Sequence, residues 1–280
     1  METRMKYIER FRVLPGSKVK LTEIDTRFTA HHESHKDAAE EIEKDRKKLR
    51  ELQELLYADG QCAVLICLQG MDAGGKDGTI RHFLSAMNPQ GCRVAQFRQP
   101  TADELAHDFL WRIHNAVPPR GITTIFNRSQ YEDVLVVRVH NLVPERTWSS
   151  RYDQINAFEK ELVENNVHIL KFYLHISKDE QLKRFADRLE EPDKRWKISE
   201  SDYKERKLWG DYTTAYEDAL SRCSTDHAPW FVIPSDHKWF RNLAIARIVV
   251  EHLEGLRLKF PKPSVNIEHI RREYHSAKNA

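Results

Sequence analysis

Gly70-Met71-Asp72-Ala73-Gly74-Gly75-Lys76 fits the spacing G-x-x-x-x-G-K. This pattern suits phosphate chemistry for a physical reason. Glycines let successive backbone N–H groups converge on phosphate oxygens, and a helix starting there adds its N-terminal dipole. Lys76 brings a full charge to the terminal phosphates. The loop follows the apolar run Cys62–Leu68 and opens a helical stretch, Gly78–Met87, which is the context such a loop needs. Gly70, Met71, Ala73, Gly74, Gly75, Lys76 and Asp77 are therefore candidate phosphate binders. The residue after Lys76 is Asp77, so the hydroxyl that ordinarily ligates Mg²⁺ is missing. Asp72 sets a carboxylate inside an anion cradle, which is unfavourable unless a cation bridges the two. Asp72 is therefore read as a Mg²⁺ ligand. Asp77 either complements the helix N-terminus or supports the site from behind.

A second cluster follows the β-rich run Ile122–Phe126: Asn127, Arg128, Ser129, Gln130, Tyr131, Glu132 and Asp133. In open α/β sheets, ligands bind beyond the carboxyl ends of the strands. Arg128 offers a planar fork for phosphate oxygens, and Glu132 and Asp133 are placed to hold metal or nucleotide. A third group, Lys183, Arg184, Arg188, Lys194, Arg195 and Lys197, lies around Pro192 between two expected helices. It reads as a solvated helical hairpin or as a lid carrying cations over a transferring phosphoryl group. Arg188 is the foremost lid candidate, with Lys194 and Lys197 as phosphate contacts. His31, His32 and His35 are close together, but no HExxH spacing accompanies them, and they read as a solvated segment before a helix.

Alternating strands and helices position these residues. Apolar spacing predicts a helix over Lys36–Tyr57, ended by Gly60, then the Cys62–Leu68 strand, buried on both faces. Arg93–Phe97, Ile122–Phe126, His168–Ile176 and Trp230–Pro234 read as further strands. Capping boxes at Thr101/Glu104 and Ser177/Glu180 open helices reaching Ala116 and about Leu189. Helices are also expected over Tyr152–Asn165, from Ser199 to about Cys223, and over Trp239–Leu256, with residues 1–30 an extended arm. The pattern implies a parallel α/β sheet between helices. One domain over 1–280 is the simplest organisation, with an arm over 1–35 and a lid over about 178–210.

Of the 280 residues, 40% are hydrophobic and 31% charged, as in a globular enzyme with a core. A net charge of +2 gives no sign of a nucleic-acid partner. The apolar runs are too short to span a bilayer, and the start of the chain has no signal-peptide pattern, so no membrane partner and a cytoplasmic location are expected. The four cysteines, Cys62, Cys67, Cys92 and Cys223, form no CxxC pair and read as reduced core thiols.

Taken together, Leu68–Thr79, Asn88-Pro89 with Gly91, Pro100-Thr101 with Glu104, Phe126–Ser129 with Tyr131, Pro192 with Lys194, Trp196 and Lys197, and Ala228-Pro229-Trp230 make the sequence resemble the polyphosphate kinase 2 family. Leu14-Pro15-Gly16 and Leu21 extend the match into the arm. The resemblance implies a three-layer αβα P-loop kinase core with a five-stranded parallel sheet, thymidylate-kinase-like, with a helical lid. It implies phosphoryl transfer between inorganic polyphosphate and nucleoside mono- and diphosphates, dependent on Mg²⁺ with Mn²⁺ as a substitute, in a homo-oligomer (dimer or tetramer). Asp72, Lys76, Arg128 and Arg188 match the family's catalytic positions. Many members carry Asp where this chain has Asn127, which raises the demand on Asp72 and Asp133 as metal ligands. Tyr131-Glu132-Asp133 resembles the class III group, which phosphorylates both AMP and ADP.

The expected mechanism lays a polyphosphate end across the Gly70–Lys76 loop and under the lid. A nucleotide sits opposite, near Arg93, Asn127, Arg128, Glu132 and Asp133. Its phosphate oxygen is already anionic, so alignment and charge neutralisation carry the reaction. Three alternatives compete: an ATP-dependent nucleoside or nucleotide kinase, a non-catalytic P-loop binding module, and a structural relic of the fold. No NKxD base-recognition motif supports the binding module.

Overall fold

The computed structural model describes residues 6–279. Its sheet has five parallel strands: β1 (Ala63–Gln69), β2 (Cys92–Gln96), β3 (Thr123–Asn127), β4 (Val167–His175) and β5 (Trp230–Pro234), in the order β2-β3-β1-β4-β5. Strand β1 is central and buried at every position. Its side chains alternate between faces: Val64, Ile66 and Leu68 enter one apolar cluster, Ala63, Leu65 and Cys67 another. The strand order reverses at β1, so a crevice opens at the carboxyl ends of β1 and β3. Register brings Leu68 of β1 level with Asn127 of β3, and Arg128 N donates to Leu68 O at 3.1 Å. The segments that end these strands are thereby held side by side.

The chain opens with α1 (Tyr7–Phe11), then α2 (Ala39–Asp59), which ends on left-handed Gly60 as the sequence indicated. Helix α3 (Lys76–Leu84) starts at Lys76 itself, two residues earlier than expected, with Gly75 at its N-cap position. The Thr101/Glu104 capping box forms, but it opens only the single turn α4 (Ala102–Leu105). The helix expected through Ala116 is broken because the Asp108 carboxylate accepts from Leu110 N at 2.9 Å, and a separate turn, α5 (Trp111–His114), begins beyond. After β3 come a 3-10 turn over Gln130–Asp133, α6 (Val136–Val139) and α7 (Glu145–Glu164). Helix α7 starts nearly two turns before the expected Tyr152. Its first turns carry Arg146, Ser149 and Ser150, too polar to show the apolar period.

Helix α8 (Lys178–Glu190) follows β4, and a 3-10 turn over Pro192–Lys197 joins it to α9 (Glu200–Lys207). Only half of the Ser177/Glu180 box is made. Ser177 accepts from Glu180 N, while Ser177 N donates to Asp236 and the Glu180 carboxylate takes Arg184. The single helix expected from Ser199 to Cys223 is broken at Leu208, where ψ is 18°, into α9 and α10 (Trp209–Cys223). Helix α11 (Lys238–Gly255) is largely apolar and buried, and joins α2 through a buried Arg247–Asp45 pair at 2.7 Å. Helix α12 (Ile267–Lys278) is exposed along its length and was not foreseen.

The arm is not simply extended. Tyr7 and Phe11 pack against Phe240 of α11, Val13 N donates to Trp230 O, and Leu21 is buried. Of the arm as first read, residues 1–5 lie outside the described residues. All four cysteines are free, with Cys62, Cys67 and Cys223 buried. Burial pushes the Cys92 thiol up to about 11 and Cys223 up to about 12, as inert core thiols require.

Candidate active site

The phosphate loop is fixed from beneath. Gly70 has φ 156°, and a Cβ there would stand 2.9 Å from Leu174 O. Gly75 has φ 108°, and a Cβ there would fall 1.8 Å from Arg241 Nη1. Position 70 therefore requires glycine for conformation and for space, and position 75 for conformation, since a Cβ there would also push the Arg241 guanidinium aside. Ala73 adopts φ 59° without that freedom, a strained geometry typical of functional loops. Lys76 Nζ donates to Gly70 O at 2.7 Å and Met71 O at 3.3 Å, so the ammonium is folded over the loop. Burial, with the Arg128 charge nearby, holds its pKa below the ordinary lysine value.

Two arginines that the sequence reading did not assign to the loop support it. Arg184 of α8 is buried. It donates to Ala73 O at 2.8 Å, Gly74 O at 3.0 Å, Ser235 O at 2.5 Å and Asp236 O at 3.2 Å. Gln181, a turn earlier, donates to Asp72 O at 2.9 Å. Arg241 comes from the first turn of α11. It is buried, donates to Asn242 Oδ1, and reaches Gly74 O at only 3.5 Å. Burial, with repulsion from Arg184, pushes Arg241 down to about 9. A cation buried on these terms is poised to accept an anion. Its one sequence signal was an arginine early in a helix otherwise apolar enough to be core.

Beyond β3, Arg128 sits at φ 66° and forks between two acids: Nη1 to Glu132 Oε2 at 3.1 Å and Nη2 to Asp72 Oδ1 at 3.2 Å. These carboxylates, Glu132 foremost, raise its pKa further. Asn127 Nδ2 donates to Asp77 Oδ1 at 2.8 Å, tying the strand end to the first turn of α3.

A buried network holds this segment. Ser129 Oγ accepts from Gln69, Gln130 and Tyr131 donate to Glu159, and Lys171 donates to Tyr131, Glu159 and Cys223 O. Lys171 and Glu159 are completely buried. A lysine inside the apolar strand His168–Ile176 was the available clue to this network.

Two cavities meet at Asp72 and Arg128. One lies over the phosphate loop and takes cations from three sides: Lys76 and Arg81 of α3, Arg188, Lys194 and Lys197 around the α8–α9 connection, and Arg241. None of the described residues lining it is aromatic. Arg188 Nη1 donates to Lys197 O at 2.9 Å and lies 3.7 Å from Asp202, while Lys194 pairs with Glu191. The other cavity is different in character. Trp209, Tyr212 and Tyr216 of α10 line it with Glu132, His140 and Glu205. Glu205 accepts from Tyr212 OH at 2.7 Å and lies 3.0 Å from His140 Nε2. In the sequence, the aromatic stripe at 209, 212 and 216 has only the spacing of an ordinary helix face.

Not every expected residue arrives here. Arg93 is exposed on edge strand β2 level with Thr124, three residues before Gln96, which reaches the cavity. That is about 10 Å short along the strand. Asn127 lines the cation cavity, not the aromatic one. Asp133 lines neither. It accepts from Arg151 Nη1 at 3.1 Å and lies 3.9 Å from Arg112, and burial pushes its pKa up to about 6.

A divalent metal is tested by these positions. Asp72 is partly exposed at the junction of the cavities and offers the hard oxygen that Mg²⁺ prefers, so it could hold a divalent metal beside substrate phosphates. Asp133 faces arginines and does not fit as a ligand. Among the described residues, no group of three metal-binding side chains forms at the loop. A metal there depends on the substrate's oxygens.

The family model described as polyphosphate kinase 2 matches residues 7–261. An AMP/ADP-polyphosphate phosphotransferase of Meiothermus ruber is 50% identical, over 94% of this chain and 99% of its own length. An ADP-polyphosphate phosphotransferase of Rhodopseudomonas palustris is 44% identical, over 91% and 92%. The crystal structure of a polyphosphate kinase 2 from Arthrobacter aurescens superposes with a TM-score of 0.94 at 39% identity, covering 99% of each chain.

Proposed function

This chain belongs to the polyphosphate kinase 2 family, and from that premise we propose that it transfers the terminal phosphoryl group of inorganic polyphosphate to AMP and ADP, yielding ADP and ATP. The observation that carries the reading is the pairing of the two cavities. One is lined by cations without an aromatic and suits a base-free phosphate polymer. The other offers Trp209, Tyr212 and Tyr216 to a nucleoside. Asp72 and Arg128 stand where the phosphoryl group would cross.

In this reading a phosphate oxygen of the nucleotide attacks the terminal phosphorus of the polymer, and the shortened polymer leaves as its own oxyanion. Lys76 exchanges the carbonyls of Gly70 and Met71 for phosphate oxygens. Arg128 and Arg188 neutralise charge on the equatorial oxygens, and Arg241 supports the polymer from below. Gly70, Met71, Ala73, Gly74 and Gly75 supply backbone contacts, Asp77 holds Asn127 in place, and Lys194 and Lys197 close over the chain as part of a lid. Asp72 would hold Mg²⁺, or Mn²⁺ in its stead, which supplies charge neutralisation between the phosphates when bound. Asp133 is a positioning residue, anchoring Arg151 and the turn that carries Glu132.

A cytoplasmic enzyme fits the free cysteines, and no helix among the described residues is long and apolar enough to cross a membrane. A homo-oligomer, dimer or tetramer, fits the exposed apolar residues Phe260, Ile267, Ile270 and Tyr274, and light scattering tests it. An assay of AMP, ADP, GMP and GDP, each with polyphosphate and Mg²⁺, tests the function. Phosphorylation of the adenine nucleotides is expected, and transfer only from added ATP would favour an ordinary nucleotide kinase.

A further inference from the structure

Of the histidines before α2, His31 and His35 are exposed as a solvated segment would have them, but His32 is not. His32 is 5% exposed. Its Nε2 stands 3.1 Å from Glu41 Oε2, and its Nδ1 stands 3.4 Å from Asp37 Oδ2 without completing a hydrogen bond. The His31 ring lies against it, with centroids 4.0 Å apart, and is itself exposed. One donor atom each from His31, His32 and Glu41 falls within 4.8 Å of the others. The backbone that presents the rings is fixed: Thr29 Oγ1 donates to His32 O, His32 N donates to Thr29 O, and Ala30 takes φ 56°.

We propose that His31, His32 and Glu41 form a binding site for a zinc-class transition metal that fastens the N-terminal arm to α2. Donor atoms bound at about 2.0–2.1 Å to one tetrahedral ion stand roughly 3.3 Å apart. The His32–Glu41 spacing of 3.1 Å already meets that requirement, and the exposed His31 ring needs only a side-chain rotation. Asp37 Oδ2, 3.4 Å from Nδ1, would complete a carboxylate–histidine–metal arrangement on metal binding, accepting from Nδ1 and leaving Nε2 for the ion. Two imidazoles with one carboxylate favour zinc over Mg²⁺, which prefers oxygen ligands alone. The fourth position opens to water on the His31 side. Arg247 lies 3.7 Å from Glu41 but is chiefly held by Asp45 at 2.7 Å, so it weakens the site without filling it. None of these residues lines either cavity of the phosphate site.

Chelator-treated full-length protein, titrated with zinc alone in a calorimeter and with cobalt(II) in an absorption cell, tests the proposal. A single zinc per chain and the absorption of tetrahedral cobalt are expected. His31→Ala, a change at an exposed side chain, and Glu41→Gln should abolish both. Asp37→Asn should weaken zinc by about 10–100-fold. Asp72→Asn should leave binding intact, which separates this site from the phosphate loop. Zinc should raise the melting temperature of the native chain and not of His31→Ala. Absence of stoichiometric zinc in the native chain, unchanged binding in His31→Ala, or loss in Asp72→Asn would overturn it.

Discussion

At the scale of single residues, Lys76 and Arg128 already have partners within the protein: Lys76 donates to loop carbonyls, and Arg128 is paired with Asp72 and Glu132. Substrate phosphate must replace those partners, which makes both side chains preorganised but exchangeable. Lys76→Ala and Arg188→Ala should each lower turnover by about 10²–10³ while circular dichroism shows the fold intact. Near-native turnover in either would remove the role given to it. Gly75→Ala makes a different kind of test. Its Cβ would collide with Arg241 Nη1, and its φ of 108° adds strain of about 1–2 kcal/mol. A lower melting temperature together with a higher KM for polyphosphate is expected, and a normal KM would dismiss Arg241 as a polymer contact. The loop glycines, Asp72 and Lys76 were legible in the sequence because spacing along the chain alone defines a phosphate loop. Arg184 and Arg241 were not, because their proximity to it arises only when α8 and α11 pack beneath.

At the scale of elements, the turn after β3 depends on a charge pair in the core. Lys171→Met would leave the buried Glu159 carboxyl without its cationic partner, a change that costs about 3–5 kcal/mol in comparable sites. Chemical denaturation should show that loss, and the double variant Lys171→Met/Glu159→Gln should recover part of it. If the single variant is as stable as the native chain, the network does not hold the turn. Helices α3 and α11 carry a second device. Burial pushes His82 and His252 down to about 4. Between the unfolded value near 6.5 and the folded value, the unfolded chain binds more protons, so stability is full above about pH 6.5 and falls as pH drops toward 4. Each histidine contributes a slope of at most about 1.4 kcal/mol per pH unit. Melting temperature against pH should flatten in that window in His82→Gln/His252→Gln, and an unchanged profile would contradict the assignment. Strand positions were legible from apolar runs. Element ends were not, where side chains override periodicity: Asp108 divides α4 from α5, and the polar first turns of α7 conceal its start.

At the scale of the whole molecule, the five-stranded parallel sheet followed from alternation of strand and helix patterns, and the order β2-β3-β1-β4-β5 places the two motif-bearing loops side by side at the carboxyl-end edge of the strands. What the sequence concealed was the division of that edge into two chemically distinct cavities. The aromatic wall belongs to α10, more than a hundred residues beyond the phosphate loop, and only tertiary packing brings the two together. The division makes its own prediction. Tyr212→Ala should raise the KM for AMP and ADP several-fold, in line with the roughly 0.5–1.5 kcal/mol of one aromatic contact, and leave the KM for polyphosphate unchanged. Equal effects on both substrates would merge the cavities into one.

The most direct measurement is ATP formation from ADP and long-chain polyphosphate with Mg²⁺ and no added ATP. ATP should appear in step with loss of polyphosphate phosphoryl groups in the native chain, and at a small fraction of that rate in Lys76→Ala. No ATP from polyphosphate, with phosphoryl transfer appearing only when ATP is the donor, would contradict the account at its centre.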